Sequence, residues 1–170
     1  TSAEYDACVA AGGCSKPGQT SYWKGISEDV QRRWSHHCTG GRADRKEHPI
    51  NCVSWEQATA YCGWAKGRLP TDAEWEFAAR GSAGRRYPWG SERSEGRVCT
   101  GGTCPVGRFP TGRGPSGALD LAGKVSEWTA SVYCGDYDQT FDGTSKRVAR
   151  GSSWRDEEDQ AHRVTRRSGF

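Results

Sequence analysis

Cysteine is the residue type in this 170-residue chain whose number and spacing most clearly indicate chemistry. The chain has eight cysteines and no methionine. They are Cys8, Cys14, Cys38, Cys52, Cys62, Cys99, Cys104 and Cys134. An even number at short spacings is typical of a disulfide framework, which forms in an oxidising compartment. We therefore treat all of them as disulfide candidates, with Cys8 near Cys14 and one disulfide closing the small loop from Cys99 to Cys104.

A zinc site is the alternative use of these cysteines. Structural zinc sites favour Cys-x2-Cys pairs or a compact cluster of Cys and His. No cysteine pair in the chain has that spacing. His36 and His37 precede Cys38, but neighbouring histidine side chains rarely both reach one metal ion. The spacing therefore favours disulfides over zinc.

The composition argues against nucleic acid and membrane insertion. Lys and Arg total 24 against 21 Asp and Glu, which gives a formal net charge of +3 and a pI of about 8.4. The basic residues are scattered, so no basic run is available to bind the phosphates of a nucleic acid. No stretch approaches the roughly 18 apolar residues that a membrane span needs. The mean hydropathy is −0.87, and we expect an economical core built largely on eight Trp, six Tyr and four Phe.

Capping residues and apolar periodicity predict three short helices. They span residues 2–11, 54–67 and 71–81. Ser2 is the predicted cap of the first helix. Ser54 and Gln57 form a capping box at the start of the second. Thr71 and Glu74 form another at the start of the third.

The remaining sequence predicts turns, short strands and loops. Residues 15–47 are polar and irregular, and we expect a long structured loop held by Cys38. Its apolar anchors are Tyr22, Trp23, Ile26, Val30 and Trp34. Residues 147–154 predict a strand followed by a turn. The 23 glycines fit this pattern, because compact irregular folds use glycine where the backbone turns sharply.

Five blocks of sequence stand in a fixed order along the chain. They are residues 48–55 (HPINCVSW), 67–81 (GRLPTDAEWEFAARG), 87–90 (YPWG), 123–128 (GKVSEW) and 150–154 (RGSSW). In order and spacing the chain resembles the formylglycine-generating enzyme (sulfatase-modifying factor) family. The resemblance implies an α+β, C-type-lectin-like fold with two or three short helices, short antiparallel strands and many loops. We expect one sulfatase-modifying-factor-like domain over residues 1–170, truncated at both ends.

The resemblance implies an enzyme that oxidises a substrate cysteine to formylglycine with copper. Its copper is held by two cysteines after a Gly-Gly-Ser turn, a donor set that suits Cu(I) because thiolates are soft ligands. Here the turn is Gly151-Ser152-Ser153, and no cysteine follows Cys134. His162 alone does not replace two thiolates. We therefore predict no catalytic residues and no copper. In the family the cysteine at Cys62 pairs with a terminal cysteine, so here Cys62 has lost that partner or pairs with Cys134.

A calcium position is the second site that the resemblance implies. The family places it around a Gly-Asn-Val-Trp-Glu-Trp motif. The corresponding ligands are the side chains of Asp120 and Glu127 and the carbonyl groups of Gly123 and Val125. Calcium favours such hard oxygen ligands. Lys124 replaces the usual Asn and adds a positive charge. The alternative is a turn whose carboxylates accept hydrogen bonds from backbone N–H groups.

The last predicted site is a recognition surface over residues 154–167, where the family places its substrate groove. The predicted ligand-binding residues are Trp154, Asp156, Glu158, Arg163 and Arg166, beside Trp23 and Trp34. Their mixed charge favours a protein or peptide over a lipid. The main hypothesis is a non-catalytic recognition module, stabilised by disulfides and calcium, that is secreted, periplasmic or at the cell surface. The alternatives are a formylglycine-generating-type oxidase acting on a protein cysteine and a structural domain of a larger secreted or envelope protein.

Overall fold

The computed structural model describes residues 1–20, 26–133, 146–156 and 158–170. Within them the helices are α1 (Ser2–Ala10), α2 (Glu28–Ser35), α3 (Trp55–Trp64) and α4 (Asp72–Arg80). The strands are β1 (Glu127–Val132), β2 (Arg147–Arg150) and β3 (Arg167–Gly169). This mixture of short helices, a small antiparallel sheet and loops confirms the predicted α+β class. No helix in the described part of the chain is long and apolar enough to span a membrane.

The chain forms two compact units. The first comprises residues 1–68 and 103–106, and the second comprises residues 69–102 and 107–170. In the first unit, Thr1 caps α1: its side chain accepts a hydrogen bond from the Glu4 amide, in a capping box. The prediction of Ser2 as the cap was wrong by one residue. Ser2 lies inside the helix, where its buried hydroxyl donates to the Thr39 carbonyl at 3.0 Å.

Helix α2 corrects the prediction of a long loop over residues 15–47. Ser27 caps the helix by accepting a hydrogen bond from the Val30 amide. Acidic residues occupy its first turn and arginines its last turn, as the helix dipole favours. Val30 and Trp34 are the only apolar residues among its eight, so the apolar stripe that usually reveals a helix in a sequence is short here. Two predicted anchors, Tyr22 and Trp23, lie outside the described residues.

The core of the first unit combines aromatic rings with disulfides. Tyr5 is 1% exposed and stacks on Tyr61 with 5.7 Å between the ring centroids. One disulfide, Cys8–Cys14, lies in this cluster. A second disulfide joins Cys38 to Cys52. These covalent links supplement a small core in a segment with little regular structure.

The second unit is built on α4 and the sheet. Helix α4 begins with the predicted capping box, in which the Thr71 side chain accepts from the Glu74 amide. The sheet has the order β1-β2-β3 and is antiparallel throughout, with Ala149 of β2 paired to Trp128 of β1 and to Ser168 of β3. Strand β2 ends before the turn that starts at Gly151, as predicted.

One apolar cluster in the second unit positions both predicted sites. Trp75 and Ala79 of α4 pack with Leu121 and Val164, each at most 6% exposed. Leu121 belongs to the turn with the predicted calcium ligands. Val164 belongs to the segment with the predicted recognition surface. Both irregular segments are therefore fixed to the same helix by buried side chains.

The remaining cysteines divide into bonded and free. Cys99 and Cys104 are both disulfide-bonded. The structure therefore confirms a disulfide framework. Cys62, in contrast, carries a free thiol, which agrees with the alternative that it has lost the partner it has in the family. Cys134, its suggested partner, lies outside the described residues.

Candidate functional site

The turn over residues 120–127 holds the predicted calcium ligands in a tight backbone conformation. Asp120 has a φ of 65°, in the left-handed region that non-glycine residues seldom adopt. Gly123 has a φ of 70°, and a Cβ at this position would lie 2.2 Å from the Cβ of Val98. The turn thus requires glycine at position 123 both for its conformation and for its close packing.

The oxygen atoms of Asp120 and Gly123 in this turn already have partners within the chain. One carboxylate oxygen of Asp120 lies 2.7 Å from Nζ of Lys124, and the other accepts a hydrogen bond from the Gly107 amide at 2.7 Å. The carbonyl of Gly123 accepts a hydrogen bond from the Cys99 amide at 3.0 Å. The Lys124 side chain is only 3% exposed. The turn is therefore a polar cluster centred on a buried ion pair.

Glu127, the other predicted carboxylate ligand, is engaged by a tryptophan. Its carboxyl group accepts a hydrogen bond from Nε1 of Trp75. Burial raises the pKa of Glu127 to about 7, and the negative charge of Asp120 is a smaller cause in the same direction. The Trp75 hydrogen bond lowers the pKa only in part. The Glu127 carboxyl group is therefore buried and held by a hydrogen bond within the chain.

As arranged, these residues do not fit a calcium ion well. Calcium needs about six to eight oxygen ligands at about 2.3–2.6 Å, with carboxylates supplying the negative charge. Here the Lys124 ammonium group takes the position beside Asp120 that a cation would need. Calcium binding by Asp120, Gly123, Val125 and Glu127 stays a prediction.

A serine and a histidine occupy the segment in which the family carries its copper-binding cysteines. Ser152 and His162 are 1% and 2% exposed. The Ser152 hydroxyl oxygen accepts a hydrogen bond from the Gly123 amide at 2.8 Å and lies 2.6 Å from Nδ1 of His162. Burial lowers the pKa of His162. This enclosed pair joins the two turns and is not exposed to a substrate.

The donor set for copper is absent from this segment. Residues 151–163 contain no cysteine, and the only imidazole among them is that of His162, whose Nδ1 contacts Ser152. Cu(I) is held by soft thiolate or thioether ligands, and the chain also has no methionine. The residues present therefore do not fit the family's copper centre.

Asp156 is the best-fixed residue of the predicted recognition surface. It accepts hydrogen bonds from the Ser153 amide at 2.7 Å and the Ser153 hydroxyl at 3.0 Å, and its other oxygen pairs with Nη1 of Arg166 at 2.7 Å. Burial raises the pKa of Asp156, but the hydrogen bonds from Ser153 and Arg166 outweigh burial and hold it below its ordinary value. A second carboxylate, that of Asp159, anchors the same segment by accepting from the Ser94 amide at 2.9 Å.

A cavity of about 620 Å³ lies beside the ion pair of Asp156 and Arg166. It is lined by Arg155, Asp156, Glu158, Gln160, Ala161 and Arg166. Three predicted ligand-binding residues, Asp156, Glu158 and Arg166, thus meet at one site. We call this site the Asp156 cavity.

The other predicted members of the recognition surface lie elsewhere. Trp154 and Arg163 are half-buried and do not line the Asp156 cavity. Trp34 belongs to the first unit, and Trp23 lies outside the described residues. Sequence reasoning missed Arg155 and Gln160, although both stand within the predicted segment. In a short charged loop, the turns of the backbone decide which side chains are exposed. The exposed positions therefore do not repeat at a regular spacing that could be recognised in the sequence.

A larger groove of about 800 Å³ runs along α4 and was not predicted. Phe77, which is 67% exposed, lies on one side of it, and Val132 of β1 is 36% exposed on another. Asp72, Glu76 and Arg167 also line the groove, but each is held in ion pairs within the second unit. These charged groups therefore stabilise the fold through ion pairs with each other and with Arg150.

Comparison with known proteins places the fold and this sequence in one family. A model of the sulfatase-modifying factor enzyme 1-like domain matches residues 1–170. Inactive C-alpha-formylglycine-generating enzyme 2 of Bos taurus is 41% identical over 149 residues, which are 76% of this chain and 47% of that protein. Its Mus musculus counterpart is 38% identical over 167 residues, 87% of this chain and 52% of that protein. The chain thus spans about half the length of these relatives.

Solved structures show the same fold at low sequence identity. PvdO from Pseudomonas aeruginosa aligns with all of this chain and 71% of its own, with a TM-score of 0.71 and 22% identity. Treponema denticola variable protein 1 aligns with 79% of this chain and 70% of its own, with a TM-score of 0.59 and 23% identity. The fold is therefore that of the formylglycine-generating enzyme class. The chain belongs to the family of sulfatase-modifying factor enzyme 1-like domains.

Proposed function

We propose that this chain is a non-catalytic recognition module that binds a protein or peptide at the Asp156 cavity. The observation that carries the proposal is the meeting of Asp156, Glu158 and Arg166 at one concave site. A rigid scaffold with a functional loop is a common arrangement for recognition. Loop 153–166 has that form, because Val164 and Asp159 anchor it to the second unit.

The chemistry of the Asp156 cavity suits a ligand that carries both charges. Asp156 and Arg166 are 21% and 36% exposed, so each presents part of its hydrogen-bonding capacity to solvent in a fixed orientation. Arg155 and Glu158 are exposed at the rim. Peptide backbones and mixed-charge side chains offer the donors and acceptors that such a site can pair with. A lipid acyl chain would find little apolar surface here.

The absence of the copper-binding cysteines supports a role without catalysis. Residues 151–163, the segment in which the family carries these cysteines, contain none, and Ser152 and His162 within it are buried. Two relatives that cover most of this chain are named inactive formylglycine-generating enzymes. The family thus includes proteins that are named inactive, and we propose the same for this chain.

The disulfides support an oxidising compartment, and we propose a secreted, periplasmic or surface location. Cys8–Cys14 and Cys38–Cys52 are formed, and Cys99 and Cys104 are bonded as well. Disulfides persist outside the reducing cytosol. Mass analysis of the protein from its native host, with and without reduction, tests the location through the state of these bonds.

The binding proposal is tested with a random peptide library displayed on phage and selected on the folded domain. Peptides from the selection are synthesised, and their affinities for wild type and variants are measured by fluorescence polarisation. The decisive variant is Arg155→Glu with Glu158→Lys, which inverts the rim charges and leaves the Asp156–Arg166 pair intact. We expect at least about a tenfold loss of affinity, because each charge-assisted hydrogen bond contributes about 1.5–3 kcal/mol.

The matched control inverts exposed charges away from the cavity in the same unit. Arg113→Glu with Glu95→Lys changes the same residue types at exposed positions and should keep the wild-type affinity. Equal binding by the rim variant and the control would reject the Asp156 cavity as the site. Failure to select any peptide would instead favour the structural-domain alternative.

The second candidate function is a formylglycine-generating-type oxidase. It is favoured by one comparison: the formylglycine-generating enzyme of Streptomyces coelicolor is 59% identical over 61 residues, which are 34% of this chain. The test incubates the domain with copper, oxygen and a cysteine-containing peptide and follows the peptide mass. We expect no conversion of the cysteine to formylglycine, because residues 151–163 supply no thiolate to hold copper. Conversion to the aldehyde would establish the oxidase.

A further inference from the structure

Lys124 lies buried in the turn over residues 120–127, beside the carboxylate of Asp120. Its side chain is 3% exposed, and its ammonium nitrogen lies 2.7 Å from Oδ1 of Asp120. Lys residues are seldom buried so completely unless they are paired. The other carboxylate oxygen of Asp120 accepts from the Gly107 amide at 2.7 Å. The carboxylate is thus neutralised and hydrogen-bonded without any group from outside the chain.

The backbone holds Lys124 in this position from both sides. Its amide donates to the Ser152 carbonyl at 3.2 Å, and its carbonyl accepts from the Trp154 amide at 3.2 Å. Gly123, just before it, has no room for a side chain beside Val98. The Cα of Lys124 is therefore fixed within reach of Asp120, and its side chain is enclosed.

We propose that the Lys124 ammonium group acts as a built-in cation that replaces calcium in this turn. A calcium ion binding Asp120 would face the ammonium group at close range in a poorly solvated site, and like charges repel strongly there. Displacing Lys124 instead would separate a buried ammonium group from the carboxylate with which it pairs, which is costly. The domain therefore folds and remains folded without the metal.

The first test measures calcium dependence of the wild-type domain directly. The protein is stripped with a chelator, and its melting temperature is compared in excess chelator and in millimolar calcium, with calorimetric titration of calcium as a second readout. We expect the same melting temperature in both solutions and no binding heat. A melting temperature that rises with calcium, or a saturable binding heat, would overturn the proposal.

The second test restores the residue type that the family uses at this position. Lys124→Asn removes the ammonium group, leaves Asp120 without its counter-charge and should lower the melting temperature by about 6 °C or more in chelator. Calcium should recover much of that loss, because the carboxylate becomes available to a metal. Lys16→Asn, an exposed position in the first unit, is the control and should change neither value. A Lys124→Asn protein that melts like wild type in both solutions would contradict the built-in cation.

A variant that keeps the charge covers the case in which Lys124→Asn does not fold. Lys124→Arg retains a cation beside Asp120. It should remain folded and insensitive to calcium, although the larger guanidinium group lowers its melting temperature. A Lys124→Arg protein that calcium stabilises would count against the proposal as clearly as a calcium-stabilised wild type.

Discussion

Arg150 of β2 and Asp72 of α4 form an ion pair at 2.5 Å in which the arginine side chain is fully buried. The guanidinium group also pairs with Glu76 and lies 5.2 Å from the ring centroid of Trp75. It donates to the Val164 carbonyl at 3.0 Å. One side chain thus ties the central strand to α4 and to the segment that carries the Asp156 cavity.

Replacement of Arg150 by methionine should destabilise the domain strongly. The substitution keeps most of the side-chain volume but removes the charge opposite Asp72 and Glu76. We expect a loss of about 3 kcal/mol in the free energy of unfolding, the low end for breaking a buried ion pair. Arg80 and Arg167 contact the same carboxylates, so these carboxylates keep a partner and the loss of free energy is smaller. Urea unfolding followed by tryptophan fluorescence measures it.

Arg80→Gln is the matched control for this prediction. Arg80 pairs with the same Glu76 at 2.7 Å, but its side chain is 35% exposed. Such partly solvated pairs contribute about 0–1 kcal/mol. Equal losses for the two variants would show that the buried position of Arg150 is not what matters.

Local signals in the sequence predicted the helices that begin with capping boxes. Thr71 with Glu74, and Ser54 with Gln57, each satisfy backbone amides within one turn, so the pattern can be read without knowing the fold. Helix α2 was missed because it begins without a capping box, since Val30 stands where a Glu or Gln would be needed. Its cap, Ser27, is followed by charged residues rather than by an apolar stripe.

The candidate site was predictable only in part, because its contacts join distant parts of the sequence. The segment of the Asp156 cavity was identified by its acids and arginines, yet its anchors Ser94 and Val164 could not be assigned from spacing. Lys124 was recognised as a departure from the family motif. That its ammonium group is buried against Asp120 depends on the left-handed backbone at Asp120, which no local pattern indicated.

The stability contributed by Asp156 should depend on acid pH. Its pKa is lowered in the folded protein relative to the ordinary value of 3.8. Its ionised form therefore stabilises the fold fully at pH values above 3.8, and this contribution is lost as the pH falls through the lowered value. The stability difference between wild type and Asp156→Asn should be constant near neutral pH and shrink in strong acid. Urea midpoints across that range measure it; a difference that does not change with pH would contradict the Arg166 and Ser153 contacts.

The thiol of Cys62 should react slowly in the folded protein. Burial raises the pKa of Cys62 above its ordinary value of 9.0, which reduces the thiolate fraction at neutral pH. We expect slow alkylation by iodoacetamide in the native state and rapid alkylation in denaturant. The rate in the native state should reach half of its maximum above pH 9.0. Peptide mapping by mass spectrometry assigns the label to this residue, and a Cys62 peptide linked to another cysteine peptide would refute the free thiol.

Ser152→Ala should weaken the junction between the two turns of the candidate site. The substitution removes the acceptor of the Gly123 amide and the partner of His162 Nδ1, and both groups lie in buried surroundings. Leaving buried polar groups unpaired costs about 1–3 kcal/mol each, so we expect a loss of about 2 kcal/mol or more in the free energy of unfolding. Ser82→Ala, at an exposed position of the same unit, should change stability by less than about 0.5 kcal/mol. Urea unfolding of the two variants compares them directly, and a Ser152→Ala protein as stable as wild type would mean that this hydroxyl does not join the turns.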